Sequence, residues 1–203
     1  MPRPKRVSAD EFQPHADDAK AVSELAELRA RFRLDEDGRV FAVLFGRDTK
    51  DDDIGRLTGL ARLTEVCVTF YGKIEPRFTD KGVEAILAFL NIQYLLCVDQ
   101  PLVTNTSLAI TATSPTLTRL GFPGASIDDD GVSNLASMKQ LIALGLSHTT
   151  LTDRAVEHLL QLTKLEILDL LHTDITIKGM RTLVNGLHEL TRFQCSRRDR
   201  TND

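Results

Sequence analysis

The sequence predicts an α/β solenoid, with parallel strands on one face and short helices on the other. Three observations carry that expectation. Leu117, Leu120, Phe122, Ile127, Gly131, Val132, Leu135 and Met138 recur 24 positions later as Leu141, Leu144, Leu146, Leu151, Ala155, Val156, Leu159 and Leu162. A third copy follows as Leu165, Leu168, Leu170, Ile175, Gly179, Met180, Leu183 and, after one inserted residue, Leu187. Within each copy the apolar positions first alternate at period two and then take helical spacing, so every copy reads as one strand, a turn and a short helix. Such a unit cannot bury its own apolar face, and stacking the copies supplies a continuous core.

The shared skeleton is L-x-x-L-x-L-x-x-T-x-I-T-D-x-G-V-x-x-L-x-x-L. At these residues the chain resembles the leucine-rich repeat superfamily in a short, ribonuclease-inhibitor-like form. The resemblance covers about Val40 to Cys195. It implies a right-handed horseshoe with strands on the concave face, helices on the convex face and protein recognition on the concave side. One departure stands out. The family's Asn or Cys after the strand is here Thr149 and Thr173, with Ala125 in the earlier copy. A Thr hydroxyl can still bond backbone groups at that turn, though with fewer donors than an amide.

Taken in order, residues 1–17 mix Pro and charge with few apolar groups and read as a disordered tail. Residues 18–39 read as an N-terminal cap of helix and hairpin. Val22, Leu25, Leu28 and Phe32 form one helical stripe from Asp18 through Phe32, and Asp35-Glu36-Asp37-Gly38 turns the chain into Val40. The solenoid is assigned to residues 40–197 as six repeats and a terminal strand, which makes seven strands. Its first copy starts at Val40, Val43 and Phe45, and its second at Leu63, Val66 and Val68, with about five extra residues around Gly72 to Pro76. The copy starting at Ile92, Leu95 and Cys97 is the poorest. There Pro101, Leu102 and a Thr-rich stretch containing Pro115 predict irregular structure in place of a helix. Leu190, Phe193 and Cys195 give the last strand, and residues 198–203 form a polar tail.

Composition narrows the function classes. With 29 acidic against 25 basic residues, the chain carries no general nucleic-acid or anionic-membrane footprint. Met1 to Val7 lack the apolar core of a secretory signal, and the apolar run Val83 to Leu90 is too short to span a bilayer. Three cysteines in no metal-binding pattern fit a reduced, cytoplasmic protein.

Thr79-Asp80 and Thr152-Asp153 fall where helix N-caps belong, and the triplets Asp51-Asp52-Asp53 and Asp128-Asp129-Asp130 occupy the same place in their repeats. Their spacing lacks the ligand geometry of a calcium loop. No phosphate loop, nucleophile elbow or paired-cysteine motif occurs, so neither a cofactor nor a catalytic group is expected. The nearest approach to chemistry is His148 with His172, at the same slot past adjacent strands, which lie about 4.8 Å apart. With Asp169 they define an alternative, metal-dependent or hydrolase-like reading that lacks a third nearby ligand.

Alternation along the strands lists the concave face. Its first half presents Phe41, Ala42, Leu44, Cys67, Phe70, Tyr94, Leu96 and Val98, and its far end Ile142, Ile167 and Leu171. Between them lie Gly121, Pro123, Gly124, Ala143, Gly145 and Ser147. An apolar, aromatic-containing sheet face marks an interaction surface, and strand glycines mark close approach. The expectation is a shallow depression over Gly121 and Gly145, walled by Tyr94 and Leu96 on one side and Ile167 and Leu171 on the other. Arg119, Arg192, Glu65, Glu166 and Asp169 would form its charged rim, with Phe70, His148 and His172 completing the contact surface. The function expected is non-catalytic binding of a protein partner by a monomer rather than a homodimer. A third reading is assembly through the uncapped edge strand Leu190 to Cys195.

Overall fold

A computed structural model describes residues 15–46, 48–69 and 76–197, with the side chains of residues 17 and 197 excepted. Eight strands form a single sheet in strictly sequential order: β1 Arg31–Leu34, β2 Val40–Phe45, β3 Glu65–Thr69, β4 Tyr94–Val98, β5 Arg119–Gly121, β6 Ala143–Gly145, β7 Ile167–Thr173 and β8 Arg192–Arg197. β1 pairs antiparallel with β2, and every later neighbour pairs in parallel. Parallel neighbours need a crossover, and here each is a helix or 3-10 turn on the same side of the sheet. Those with α-helical character are α2 Asp80–Leu87, α3 Asn105–Thr111, α4 Asp129–Ser133, α5 Val156–Leu159 and α6 Ile177–Gly186, preceded by α1 Ala19–Glu27.

The register explains why one leucine slot recurs. Val43, Val66, Leu95, Leu120, Leu144, Leu168 and Phe193 are successive partners across the sheet. All but Phe193 are buried, facing Val83, Ile86, Leu108, Val132, Leu159 and Leu183 from the helices. Burial of each such side chain contributes about 1.5–3 kcal/mol.

Two expectations are corrected. The helix predicted through Phe32 ends at Glu27, and Phe32 belongs to strand β1, so the sheet has eight strands, the seven expected plus the outer arm of the hairpin. Arg31-Phe32-Arg33-Leu34 alternates charged and apolar groups at period two, and pairing with β2 outweighs the helical stripe. The repeat predicted to lack a helix contains α3. Pro101 and Pro115 both fall outside it, and Thr104 caps it by accepting from the Thr106 N–H. The burial of Leu108, Ser107 and Thr111 overrides the modest helix propensity of a Thr-rich run. At the N-terminus the His15 N–H donates to Gly38 O and Ala16–Asp18 form a 3-10 turn, so residues 15–17 are tied to the hairpin. The insertion around residues 72–75 and the tail 198–203 lie outside the described residues.

The T-D pair at the helix starts does more than cap. Thr79, Thr104, Thr152 and Thr176 each use the side-chain oxygen to accept from an amide in their own first turn. Each of these threonines then donates its N–H and hydroxyl to a carboxylate of the preceding repeat: Thr79 to Asp51, Thr104 to Asp80, Thr152 to Asp129 and Thr176 to Asp153. Asn105 and Asp128 close the remaining gap with a reciprocal pair of bonds at 2.7 and 3.2 Å. The result is a polar ladder along the helix starts. It also accounts for the recurring glycine of the skeleton. A Cβ at Gly82, Gly131 or Gly179 would collide with the ladder residue of the repeat before, Asp51, Asn105 or Asp153. The corresponding slot in the last helix is Ile177, 60% exposed, and the ladder stops there.

Candidate functional site

The sheet face opposite the helices is open. In register across it lie two rows, Ala42-Glu65-Tyr94-Arg119-Ala143-Ile167-Arg192 and Leu44-Cys67-Leu96-Gly121-Gly145-Asp169-Gln194. Each lies one residue from the buried row of Leu95, Leu120, Leu144 and Leu168, so both face away from the core. Tyr94, Leu96, Arg119, Gly121, Gly145, Ile167 and Asp169 line one depression of about 260 Å³. Seven of the residues expected at the site therefore meet in one place. Leu171 lies two residues further along β7, half-buried and outside the lining. Phe70 lies outside the described residues.

The two floor glycines differ. Gly121 is buried because the Leu96 side chain lies over it, and a Cβ there would come within 2.6 Å of Leu96 Cδ1. Above Gly145 the face is open, the nearest atom to such a Cβ being Gly121 Cα at 3.8 Å. The wall expected of Leu96 is thus partly a lid on Gly121, and the bare floor is centred on Gly145.

The rim is held by a shared carboxylate. Glu65 accepts from Arg119 Nη2 at 2.7 Å and from Arg33 Nη1 at 3.2 Å. Arg119 also lies over the Tyr94 ring, 4.4 Å from its centroid, and Arg33 over Phe41 at 4.7 Å. Burial, reinforced by the Glu65 carboxylate, pushes Cys67 up to about 11, and burial likewise raises Tyr94. Cys67 is accordingly a packed thiol rather than a nucleophile. Arg33 is absent from the rim expected from sequence, because the residues up to Phe32 read as a helix and strand β1 is not foreseen.

His148 and His172 stack with ring centroids 4.4 Å apart and planes tilted by 32°. Their backbone angles give a sufficient reason for their identity. Asp99, Gly124, His148 and His172 share one slot of successive repeats, and all have φ between 53° and 74°. Left-handed backbone favours Gly and tolerates Asp and His better than most residues. The next residues, Thr149 and Thr173, donate their hydroxyls to Leu146 O at 2.6 Å and Leu170 O at 2.9 Å, filling the role of the expected turn amide. Asp169 turns its carboxylate to the Leu171 N–H at 3.0 Å. Among the described residues no three His, Cys, Asp or Glu side chains converge on a point that could hold a metal ion. No helix there is long and apolar enough to cross a membrane. Five of the six residues of the acidic triplets have structural partners: Asp51 and Asp129 in the ladder, Asp53 on the Lys50 N–H, Asp128 as the cap of α4, and Asp130 on Arg154.

No protein-family model matches the chain, and no curated protein sequence does. Among solved structures, a tropomodulin C-terminal domain from Caenorhabditis elegans is 10% identical and covers 86% of this chain and 93% of its own, with a TM-score of 0.50. Internalin C2 from Listeria monocytogenes is 17% identical over 70% of this chain, which spans 55% of the internalin's length, with a TM-score of 0.47. A leiomodin-1 segment described as an actin-binding site gives 16% identity over 45% of this chain and 61% of its own, at a TM-score of 0.37. The tropomodulin likeness agrees with an α/β fold of alternating strands and helices.

Proposed function

We propose that the chain is a non-catalytic, cytoplasmic protein-binding module of the leucine-rich repeat kind, with ribonuclease-inhibitor-like repeats, whose open, concave sheet face takes a protein partner. The observation that carries this reading is the depression over Gly145. A sheet face that met only water would be polar, whereas Tyr94, Leu96, Ala143 and Ile167 surround a bare glycine floor. Leu171, His148 and His172 extend the contact surface around it, and Arg119 and Asp169 orient the partner at the rim. Nucleic acid and membrane have no part in this reading.

The test is Gly145→Arg, paired with Glu157→Arg on the helix side. A side chain at position 145 points into open space, so the variant keeps its fold while filling the depression. Co-purification from native lysate, read by mass spectrometry, should lose the partner with Gly145→Arg and retain it with Glu157→Arg. Retention by both, with unfolding unchanged, rejects the reading.

A second reading is favoured by one place in the fold. Ile177 and Val184 on α6 are 60% and 52% exposed, and Phe193 and Cys195 on the last strand are only half-buried. Assembly through this end would cover them, and light scattering would then report a stable oligomer.

A further inference from the structure

A second groove lies on the same face where the hairpin meets the repeats. It encloses about 410 Å³, with Ala42, Leu44 and Cys67 as its apolar lining, Tyr94 at one side and Arg31 and Arg33 at the other. Its charge is lopsided. Arg31 is exposed and has no ion pair among the described residues, while Arg33 and Arg119, 66% and 46% exposed, share the single carboxylate of Glu65, itself 19% exposed. Two guanidinium groups, Arg31 and Arg33, therefore border an apolar groove whose one carboxylate, Glu65, is also engaged by Arg119 from the neighbouring depression, in a chain whose net charge is −4. Surplus positive charge beside apolar surface, against the sign of the whole molecule, fits a ligand that is apolar at its centre and acidic at its flanks.

We propose that this groove binds an acidic segment of the partner protein, seating one aliphatic or aromatic side chain on Leu44 and Cys67 while flanking Asp or Glu carboxylates pair with Arg31 and Arg33. The inference rests on the reading of the open face as a protein-binding surface and adds the chemistry of what binds. Glu65 and the aromatic faces of Phe41 and Tyr94 hold Arg33 and Arg119 in place beforehand, so little side-chain freedom is lost when a carboxylate arrives. Arg31, without such support, supplies the free charge.

A random peptide library displayed on phage, selected on the full chain and on Arg31→Glu/Arg33→Glu, tests this. Both positions are exposed, and thermal unfolding checks that the variant is folded. The wild type should select peptides with Asp or Glu beside an aliphatic or aromatic residue, and the charge-reversed variant should bind the best of them about tenfold or more weakly by fluorescence polarisation. Peptides with Lys in place of the acids should show the reverse order. Selection without an acidic bias overturns the inference, as does equal binding of acidic peptides stripped of the apolar residue, or equal competition by single-stranded DNA. Acidic peptides that lose affinity for Gly145→Arg but not for the charge-reversed chain overturn it too, while leaving the open face as the binding surface. If nothing is selected although Gly145→Arg still loses its lysate partner, this inference fails and the broader reading stands.

Discussion

Asp129 accepts both the backbone N–H of Thr152, at 2.8 Å, and its hydroxyl, at 2.6 Å, across the boundary between two repeats. Asp51, Asp80 and Asp153 do the same for Thr79, Thr104 and Thr176, so the helix starts are cross-linked as well as capped. Charge-assisted bonds of this length are the stronger class, and Asp129 is only 7% exposed.

Asp129→Ala is therefore expected to cost about 2–4 kcal/mol in urea unfolding, since two donors of Thr152 lose their acceptor together. Asp130→Ala is expected within about 0.5 kcal/mol of wild type. Its pair with Arg154 joins side chains that are 77% and 76% exposed, where water screens the attraction. Equal losses at the two sites would show that the ladder does not bind the repeats together.

The ladder makes a second prediction, about glycines. At Gly82 an added methyl meets the fully buried Phe78 ring and lies 2.6 Å from Asp51 Oδ1, so Gly82→Ala should lose about 1–3 kcal/mol despite the better helix propensity of alanine. At Gly121 the obstacle is the terminal Cδ1 of Leu96, which can swing aside, and Gly121→Ala should cost less than about 1 kcal/mol. Chemical denaturation of both variants checks the order, and a larger loss at position 121 would contradict it.

Asp128 supplies a pH dependence. Its carboxyl is held below the usual carboxylate value, chiefly by the bond from Asn105 and further by the Gly131 and Asp130 amides and the Arg154 charge. A depressed folded value means that the stabilisation is present above the unfolded value near 3.8 and is lost as pH falls through the lower folded value. The stability gap between wild type and Asp128→Asn should thus narrow below about pH 4. A gap that stays constant through that range in acid titrations would contradict the assignment.

The core and the repeat boundaries were legible because each leucine slot answers to a short-range period, and the parallel register follows once the copies are stacked. The β1 arm was not legible, because Leu25, Leu28 and Phe32 satisfy a helical stripe as well as Phe32 and Leu34 satisfy a strand; pairing with Val43 and Val40 decides between them. Helix α3 was hidden for a related reason. Its cap, Thr104, is secured by Asp80 from another repeat, 24 residues away. For the site, alternation alone gave the residues of the depression. What it could not give was side-chain direction: Leu96 leaning over Gly121, or Glu65 bridging Arg33, 32 residues before it, and Arg119, 54 residues after it.

Hydroxyl-radical footprinting of the complex with its captured partner tests the central claim most directly. Partner binding on the open face should lower labelling at Tyr94, Leu96, Ile167 and Leu171, and leave Ile177, Val184 and Leu90, which is 85% exposed, as reactive as in the free chain. Protection of Ile177 and Val184 with Tyr94 and Ile167 unchanged would place the partner at the end of the solenoid and contradict the account.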